Sequence, residues 1–283
     1  MERRVGEKLE EAVLRLREAG IDTPLLDSQL LMARALGCSR LNVIAHPERI
    51  LTDSEYNNYR LMLDKLITRF PLAYILGHKE FYGLELQVSP GVLIPRPETE
   101  LLVEECMKRL QREEAAIADI GAGSGAIAVA LGANLPSAKI YSTEISPVAL
   151  EVARANVEKH QLEERVSIIW GDLLVPLFDL GVKFDAIVSN PPYIPTGEIE
   201  TLEPEIRLYE PKEALDGGED GLDAYRRLFP QSLELLREDG FVGVEIGAGQ
   251  ANSVRNIAEL AGYKRIEVIL DLAGIERIVI AYR

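Results

Sequence analysis

Four consecutive residues, Asn190-Pro191-Pro192-Tyr193, carry the groups needed to hold a planar amino group. The Asn190 amide oxygen and the Pro191 carbonyl are acceptors, neither proline has an N–H that would compete, and Tyr193 offers a flat ring. When both N–H bonds of an amide or exocyclic amine are held by acceptors, the nitrogen lone pair turns out of its conjugated plane towards an electrophile. These four residues are therefore the predicted catalytic and substrate-binding group of an N-alkylating site, although two prolines can also simply end a strand.

The position of this tetrapeptide supports a functional role. It follows the apolar run Phe184–Ser189, which is typical of a buried strand. In an open α/β sheet, ligands bind at the carboxyl ends of the strands. We therefore expect the tetrapeptide to lie at a ligand-binding edge.

A glycine-rich loop upstream predicts a nucleotide-type cofactor. A short apolar strand near 115–120 leads into Gly121-Ala122-Gly123-Ser124-Gly125, and an Ala-rich helix begins there. Glu144 ends the next strand, at a spacing where a carboxylate accepts hydrogen bonds from ribose hydroxyls. The loop fits both NAD and S-adenosylmethionine. The tetrapeptide favours the methyl donor, because a hydride donor has no use for a site that holds an amide.

Around these motifs the chain resembles the glutamine-N5 methyltransferases that act on bacterial peptide chain release factors. The shared residues extend over nearly the whole length, and they are Phe70–Gly77, Glu80–Gly83, Val92–Glu100, Asp119–Gly125, Asn190–Tyr193, Tyr209–Pro211 and Gly217–Leu222. The resemblance implies methyl transfer from S-adenosylmethionine to a glutamine in the Gly-Gly-Gln loop of release factors, which tunes translation termination. It also implies cofactor contacts from Asp172, Leu173 and Asn190, and places Pro95-Arg96-Pro97 over the cofactor. The family usually has Asp where this chain has Glu144, and some relatives have an aromatic residue in place of Leu173.

Three alternatives remain open from the residues. The first is a glutamine methyltransferase whose substrate is a ribosomal protein, since the catalytic core would be the same. The second is an adenine-N6 methyltransferase of nucleic acid, which shares the tetrapeptide. The third is a catalytically silent cofactor-binding adaptor or an NAD enzyme.

Charge argues against nucleic acid as a partner. The chain has 46 acidic and 31 basic residues, a net charge of −15, and no basic run. A protein that grips a phosphate backbone needs clustered Lys and Arg. No direct binding of nucleic acid is therefore expected.

Composition predicts a cytoplasmic protein without a metal site. The 283 residues are 47% hydrophobic, but no apolar run reaches the roughly 18 residues of a membrane span. The charged start, Met1-Glu2-Arg3-Arg4, lacks an apolar signal core. Cys38 and Cys106 are isolated and the three histidines are far apart, which suggests a reducing compartment and no metal site.

The periodicity predicts three regions. Residues 1–73 form a helical substrate-recognition domain, 74–96 a β-hairpin linker, and 97–283 an α/β methyltransferase domain, in which the long loop 194–222 is a lid or recognition segment. Helices are expected near 6–19, 24–36, 39–45 and 53–68, and strands near 116–120, 139–143, 166–170, 184–189, 241–246, 265–270 and 275–282. This order predicts a mostly parallel seven-stranded sheet that ends in an antiparallel hairpin, the Rossmann-like class I methyltransferase architecture.

Overall fold

The computed structural model describes residues 3–283, so Met1 and Glu2 of the charged start lie outside it. The described chain divides into two compact units. One unit runs up to Gly77 and includes Glu203–Tyr209, and the other comprises His78–Leu202 and Glu210–Arg283. The predicted domain boundary at residue 73 falls four residues before the end of the first unit's main segment.

Helices and strands alternate through most of residues 3–283. The helices are α1 Val5–Glu18, α2 Pro24–Leu36, α3 Arg40–Ala45, α4 Asp53–Ile67, α5 Leu72–Leu76, α6 Thr99–Arg109, α7 Ala126–Asn134, α8 Pro147–Lys159, α9 Pro204–Tyr209, α10 Asp223–Leu235 and α11 Ala251–Ala261. The strands are β1 His78–Phe81, β2 Leu84–Gln87, β3 Ala116–Ile120, β4 Lys139–Glu144, β5 Val166–Trp170, β6 Phe184–Ser189, β7 Leu236–Glu245, β8 Arg265–Leu270 and β9 Glu276–Tyr282.

Local signals set the ends of the helices in the first unit. Pro24 opens α2, Gly37 ends it with a left-handed φ of 62°, and Thr52 caps α4 through a reciprocal capping box with Glu55. Helix α5 was not expected, since residues 74–76 were assigned to the linker. Its five residues are too few for a helical period to be recognised in the sequence.

The segment Glu203–Tyr209 packs within the helical unit although it is far away in sequence. Arg69 donates a hydrogen bond of 2.6 Å to Glu205, and the Tyr209 hydroxyl donates to the Thr68 carbonyl at 2.9 Å. The rings of Phe70 and Tyr209 meet edge to face, with centroids 5.1 Å apart. Part of the long loop predicted as a lid is thus bound to the N-terminal helices.

The second unit contains the β1–β2 hairpin and a seven-stranded sheet. The sheet order is β5-β4-β3-β6-β7-β9-β8, with the first five strands parallel and β9 antiparallel to both neighbours. The mostly parallel sheet with a terminal antiparallel hairpin is confirmed. Strand β7 begins earlier than expected because Leu236 pairs with Phe184 across a register shift.

Apolar side chains cover both faces of the sheet. On one face, Ile117 packs in a cluster with residues of α6, α7 and α8. On the other, Ala118 and Ile120 pack with residues of α10 and α11. Because helices cover both faces of the sheet, ligands are expected at the carboxyl ends of its strands.

The register aligns those ends. Ile120 pairs with Thr143 of β4 and with Ser189 of β6, so the residues that follow these positions come together. They are Gly121, Glu144 and Asn190. Within residues 3–283, no helix is long and apolar enough to cross a membrane.

Candidate active site

The glycine loop forms an open cradle at the end of β3. Gly121, Gly123 and Gly125 have φ of 80°, 55° and 81°, conformations that L side chains rarely adopt. A Cβ added at Gly121 or Gly123 would meet no protein atom within 4 Å, so the backbone there faces open space. At Gly125 the same atom would lie 3.3 Å from the Ala153 backbone, because α7 and α8 pack closely.

Glu144 is fixed by the loop that it faces. Its carboxylate accepts the Gly123 N–H through Oε2 and the Ser146 N–H through Oε1, each at 2.8 Å. A carboxylate oxygen accepts two hydrogen bonds, so each oxygen keeps a lone pair for a diol. The backbone thus presents Glu144 in one orientation.

A cavity of about 950 Å³ connects most of the predicted residues. Its lining contains seven of them, namely Gly121, Gly123, Glu144, Asp172, Leu173, Asn190 and Pro192. A smaller cavity of about 40 Å³ shares Gly121, Gly123 and Asn190 and adds Ala122 and Ser124, together with Pro95 and Arg96. Gly125, Pro191 and Tyr193 line neither cavity.

The wall of the large cavity carries a charged pair. Asp172 accepts a hydrogen bond from Arg227, and both side chains line the wall. Leu173 beside them has a positive φ of 47°. Asp172 is thus held in place by Arg227 at the wall of the cavity.

The tetrapeptide is connected to two residues that the sequence did not single out. Asn190 Nδ2 lies 3.0 Å from Thr99 Oγ1, and Thr99 donates to Glu245 Oε2 at 2.6 Å. Tyr193 donates its hydroxyl to the other oxygen of Glu245 at 3.3 Å. Burial raises the pKa of the Glu245 carboxyl, while the Thr99 and Tyr193 hydroxyls and the Arg277 charge oppose this shift.

A third missed residue, Gln250, holds the main chain of the motif. Its Nε2 donates to the Tyr193 carbonyl at 2.8 Å and its Oε1 accepts the Gly247 N–H at 2.9 Å. Thr99 follows Pro97-Glu98 in a run that the sequence did highlight, and Glu245 is an acid at the end of an apolar strand. That second signal, a buried carboxylate at a strand end, is the one from which Glu245 could have been found.

Within the second unit, the Pro95-Arg96-Pro97 segment is held by a buried carboxylate. Glu210 accepts from Arg96 Nη2 at 2.5 Å and from the Ile94 N–H at 3.2 Å. Since Arg96 also lines the small cavity, this ion pair fixes one wall of the site.

The donor set fits S-adenosylmethionine. The glycine cradle faces open space, Glu144 keeps acceptors for ribose hydroxyls, and the buried Thr143 Oγ1 at the cavity wall has no partner within residues 3–283. In that same range, no group of three or more His, Cys, Asp or Glu side chains is arranged to hold a metal ion.

Two family models match the chain. Residues 7–77 match the PrmC N-terminal domain, and residues 97–206 match the methyltransferase small domain. The first match ends at the last residue of the helical unit's main segment.

Curated relatives match over almost the entire chain. A release factor glutamine methyltransferase of Moorella thermoacetica is 44% identical over 97% of this chain and 97% of its own length. One of Geobacter sulfurreducens is also 44% identical, over 93% of this chain and 91% of its own.

Solved structures share the fold at low identity. A methyltransferase from Pyrococcus furiosus superposes with a TM-score of 0.54 at 18% identity, covering 80% of this chain and 98% of that one. The hMettl16 catalytic domain in complex with MAT2A 3′UTR hairpin 1 gives a TM-score of 0.58 at 16% identity, with 83% of each chain covered. These likenesses establish the Rossmann-like methyltransferase fold.

Proposed function

This chain belongs to the family of release factor glutamine methyltransferases, and from that premise we propose that it transfers a methyl group from S-adenosylmethionine to the side-chain amide nitrogen of a glutamine in the Gly-Gly-Gln loop of release factors. The observation that carries this function is the placement of the Asn190 side chain on the wall shared by both cavities, next to the glycine cradle. At such a wall an acceptor amide held by Asn190 would lie beside the methyl donor.

The cofactor would be held by the cradle and by Glu144. Gly121 and Gly123 leave room for the methionine part, the Glu144 carboxylate accepts the ribose hydroxyls, and Asp172 and Leu173 line the space for the adenine. When bound, the cofactor supplies an electrophilic methyl group on a positively charged sulfur.

The chain's own residues make the amide reactive by position. A side-chain amide is a poor nucleophile because its lone pair is delocalised. In this proposal Asn190 Oδ1 and the Pro191 carbonyl would accept its two N–H bonds, and the Tyr193 ring would pack against its plane. Of these three residues, Asn190 is the one that lines the cavities. Such orientation can raise the effective concentration of the reacting groups to ~10⁵ M or more. No side-chain base is needed, since the N-alkylated amide cation is strongly acidic and loses its proton to water.

The direct test is an acceptor panel with labelled S-adenosylmethionine. The enzyme is incubated with a release factor, with ribosomal proteins, or with duplex DNA and ribosomal RNA. We expect label on the release-factor glutamine, mapped by mass spectrometry, and none on nucleic acid because of the net charge of −15. Label on a ribosomal protein alone, or on adenine, would replace this function by one of the alternatives.

Removing the Glu144 carboxylate should weaken cofactor binding. Glu144→Ala loses a charge-assisted contact to the ribose, so we expect a cost of about 1.5–3 kcal/mol in binding. Glu144→Asp keeps the carboxylate and should cost much less. Titration calorimetry decides this, and equal binding by the Ala variant would place the ribose elsewhere.

The helical unit is proposed to recognise the protein substrate. Every candidate reactive or cofactor-binding residue lies beyond residue 90, and a glutamine in a glycine-rich loop offers few side chains to grip. Leu14, Leu41 and Leu61 are exposed apolar side chains on this unit. Changed singly to Ser, at least one should raise KM several-fold for the intact release factor and leave turnover of a short glutamine peptide unchanged. If none of the three changes KM, or if peptide turnover falls in parallel, recognition lies outside these surfaces.

A further inference from the structure

A buried hydrogen-bonded chain joins the two ends of the tetrapeptide. Asn190 Nδ2, Thr99 Oγ1 and Glu245 Oε2 are spaced at 3.0 and 2.6 Å, and Tyr193 reaches the same carboxylate from the other side. Thr99 is 4% exposed and Glu245 is 2% exposed, so water does not compete with these contacts. We name Asn190, Thr99 and Glu245 the amide relay.

The number of available hydrogens fixes the direction of every bond in the relay. In the structure the Thr99 hydroxyl donates its single hydrogen to Glu245 Oε2, and an ionised carboxylate can only accept. Thr99 Oγ1 can then only accept from Asn190. The donor group of the Asn190 amide must therefore face Thr99, and its carbonyl oxygen must point away from it.

Burial raises the pKa of the Glu245 carboxyl, and polar contacts oppose this shift. Its two oxygens receive two hydroxyl donors, from Thr99 and Tyr193, and the positive charge of Arg277 lowers its pKa. The negative charge of Glu98 and burial act in the opposite direction. The Tyr225 hydroxyl donates to the Glu245 backbone carbonyl.

The orientation of Asn190 matters because the two halves of an amide have nearly the same shape. In one orientation Asn190 offers an acceptor to the N–H of the substrate amide. In the other orientation the Asn190 NH2 group faces the substrate N–H, so two donors meet and the substrate amide is repelled. Packing alone distinguishes these two states poorly, whereas a hydrogen bond distinguishes them fully.

We propose that Thr99 and Glu245 are positioning residues that fix the Asn190 amide with its oxygen towards the substrate. This inference rests on the proposed function for its kinetic consequence, because it assumes an acceptor amide held by Asn190 Oδ1. The orientation itself does not depend on which acceptor is methylated. The two statements can therefore be tested separately.

The kinetic test uses a matched pair of variants in the full-length enzyme. Thr99→Val keeps the shape and removes the hydroxyl, and Thr99→Ser keeps the hydroxyl. For the release factor, we expect Thr99→Val to lower kcat about tenfold, with KM and S-adenosylmethionine affinity within about twofold, since both hydrogen bonds of the Thr99 hydroxyl are lost and Asn190 loses its orienting partner. Thr99→Ser should retain at least half of the wild-type kcat. Equal losses in both variants, or an unchanged kcat in Thr99→Val, would overturn the relay.

A double-mutant cycle separates positioning from general damage. If Thr99 acts only through Asn190, Thr99→Val should cause no further loss in an Asn190→Ala background. Multiplicative losses would mean that Thr99 acts by another route. Circular dichroism melts on all variants ensure that the comparison is between folded proteins.

A spectroscopic readout tests the relay independently of the acceptor. In nitrogen-15 spectra, the Asn190 side-chain NH2 pair, assigned by its loss in Asn190→Ala, should shift and exchange faster with water in Thr99→Val but not in Thr99→Ser. If wild-type enzyme does not methylate release factors but this shift occurs, the proposed function fails and the relay stands. An unchanged Asn190 resonance in Thr99→Val refutes the relay whatever the substrate.

Discussion

Asn190→Ala is expected to lower kcat by a factor on the order of 10²–10³, by analogy with the removal of one preorganised hydrogen-bond partner. The Asn190 side chain holds one N–H of the substrate amide. Without it, the substrate amide can rotate and its nitrogen lone pair stays delocalised into the carbonyl group. Cofactor affinity should remain nearly intact, because the glycine cradle and Glu144 are untouched. Steady-state kinetics on a release factor and titration calorimetry with S-adenosylmethionine measure the two effects.

A suitable control is Asn252→Ala, an exposed asparagine in α11. It should leave both quantities unchanged. Near-normal turnover in Asn190→Ala would refute the proposed mechanism, and a parallel loss of cofactor binding would mean that Asn190 mainly holds the donor.

Gly221→Ala is expected to lower kcat by about 10²-fold, because it should displace the main chain of the tetrapeptide. Gly221 has a φ of 75°, and an added Cβ would overlap the Tyr193 carbonyl and lie 2.6 Å from Gln250 Nε2. Gln250 and Tyr193 share a hydrogen bond, so the overlap must displace the loop that carries Asn190. A displacement near 1 Å is enough for a loss of this size.

Gly181→Ala separates this effect from backbone strain. Gly181 has a comparable φ of 65°, but a Cβ there would meet nothing within 4 Å. Both variants should lose roughly 1–2 kcal/mol of stability from the left-handed conformation. Gly221→Ala should lose more because of the overlap with Tyr193, and only Gly221→Ala should lose turnover. If kcat falls equally in both, the loss comes from stability and Gly221 has no positioning role.

Local features of the sequence determined the parts of the site that lie within one strand and its following loop. The glycines after β3, Glu144 at the end of β4 and the tetrapeptide after β6 were all identified, because strand ends in an α/β protein are marked by short apolar runs and by glycine or proline. Parallel register then brings them to one edge. The assignment of individual roles to these residues stays a prediction.

Only the tertiary structure determined the residues that orient the site. Thr99 and Glu245 are 146 positions apart, and they meet because α6 packs near the end of β7. The insertion of β9 between β7 and β8, and the packing of Glu203–Tyr209 with the N-terminal helices, are also absent from any periodic pattern. Periodicity and helix caps depend on residues that are neighbours in the chain, whereas strand order and buried polar contacts depend on how complete helices and strands pack. The sequence by itself therefore indicated the reacting groups, and the packing determined their orientation.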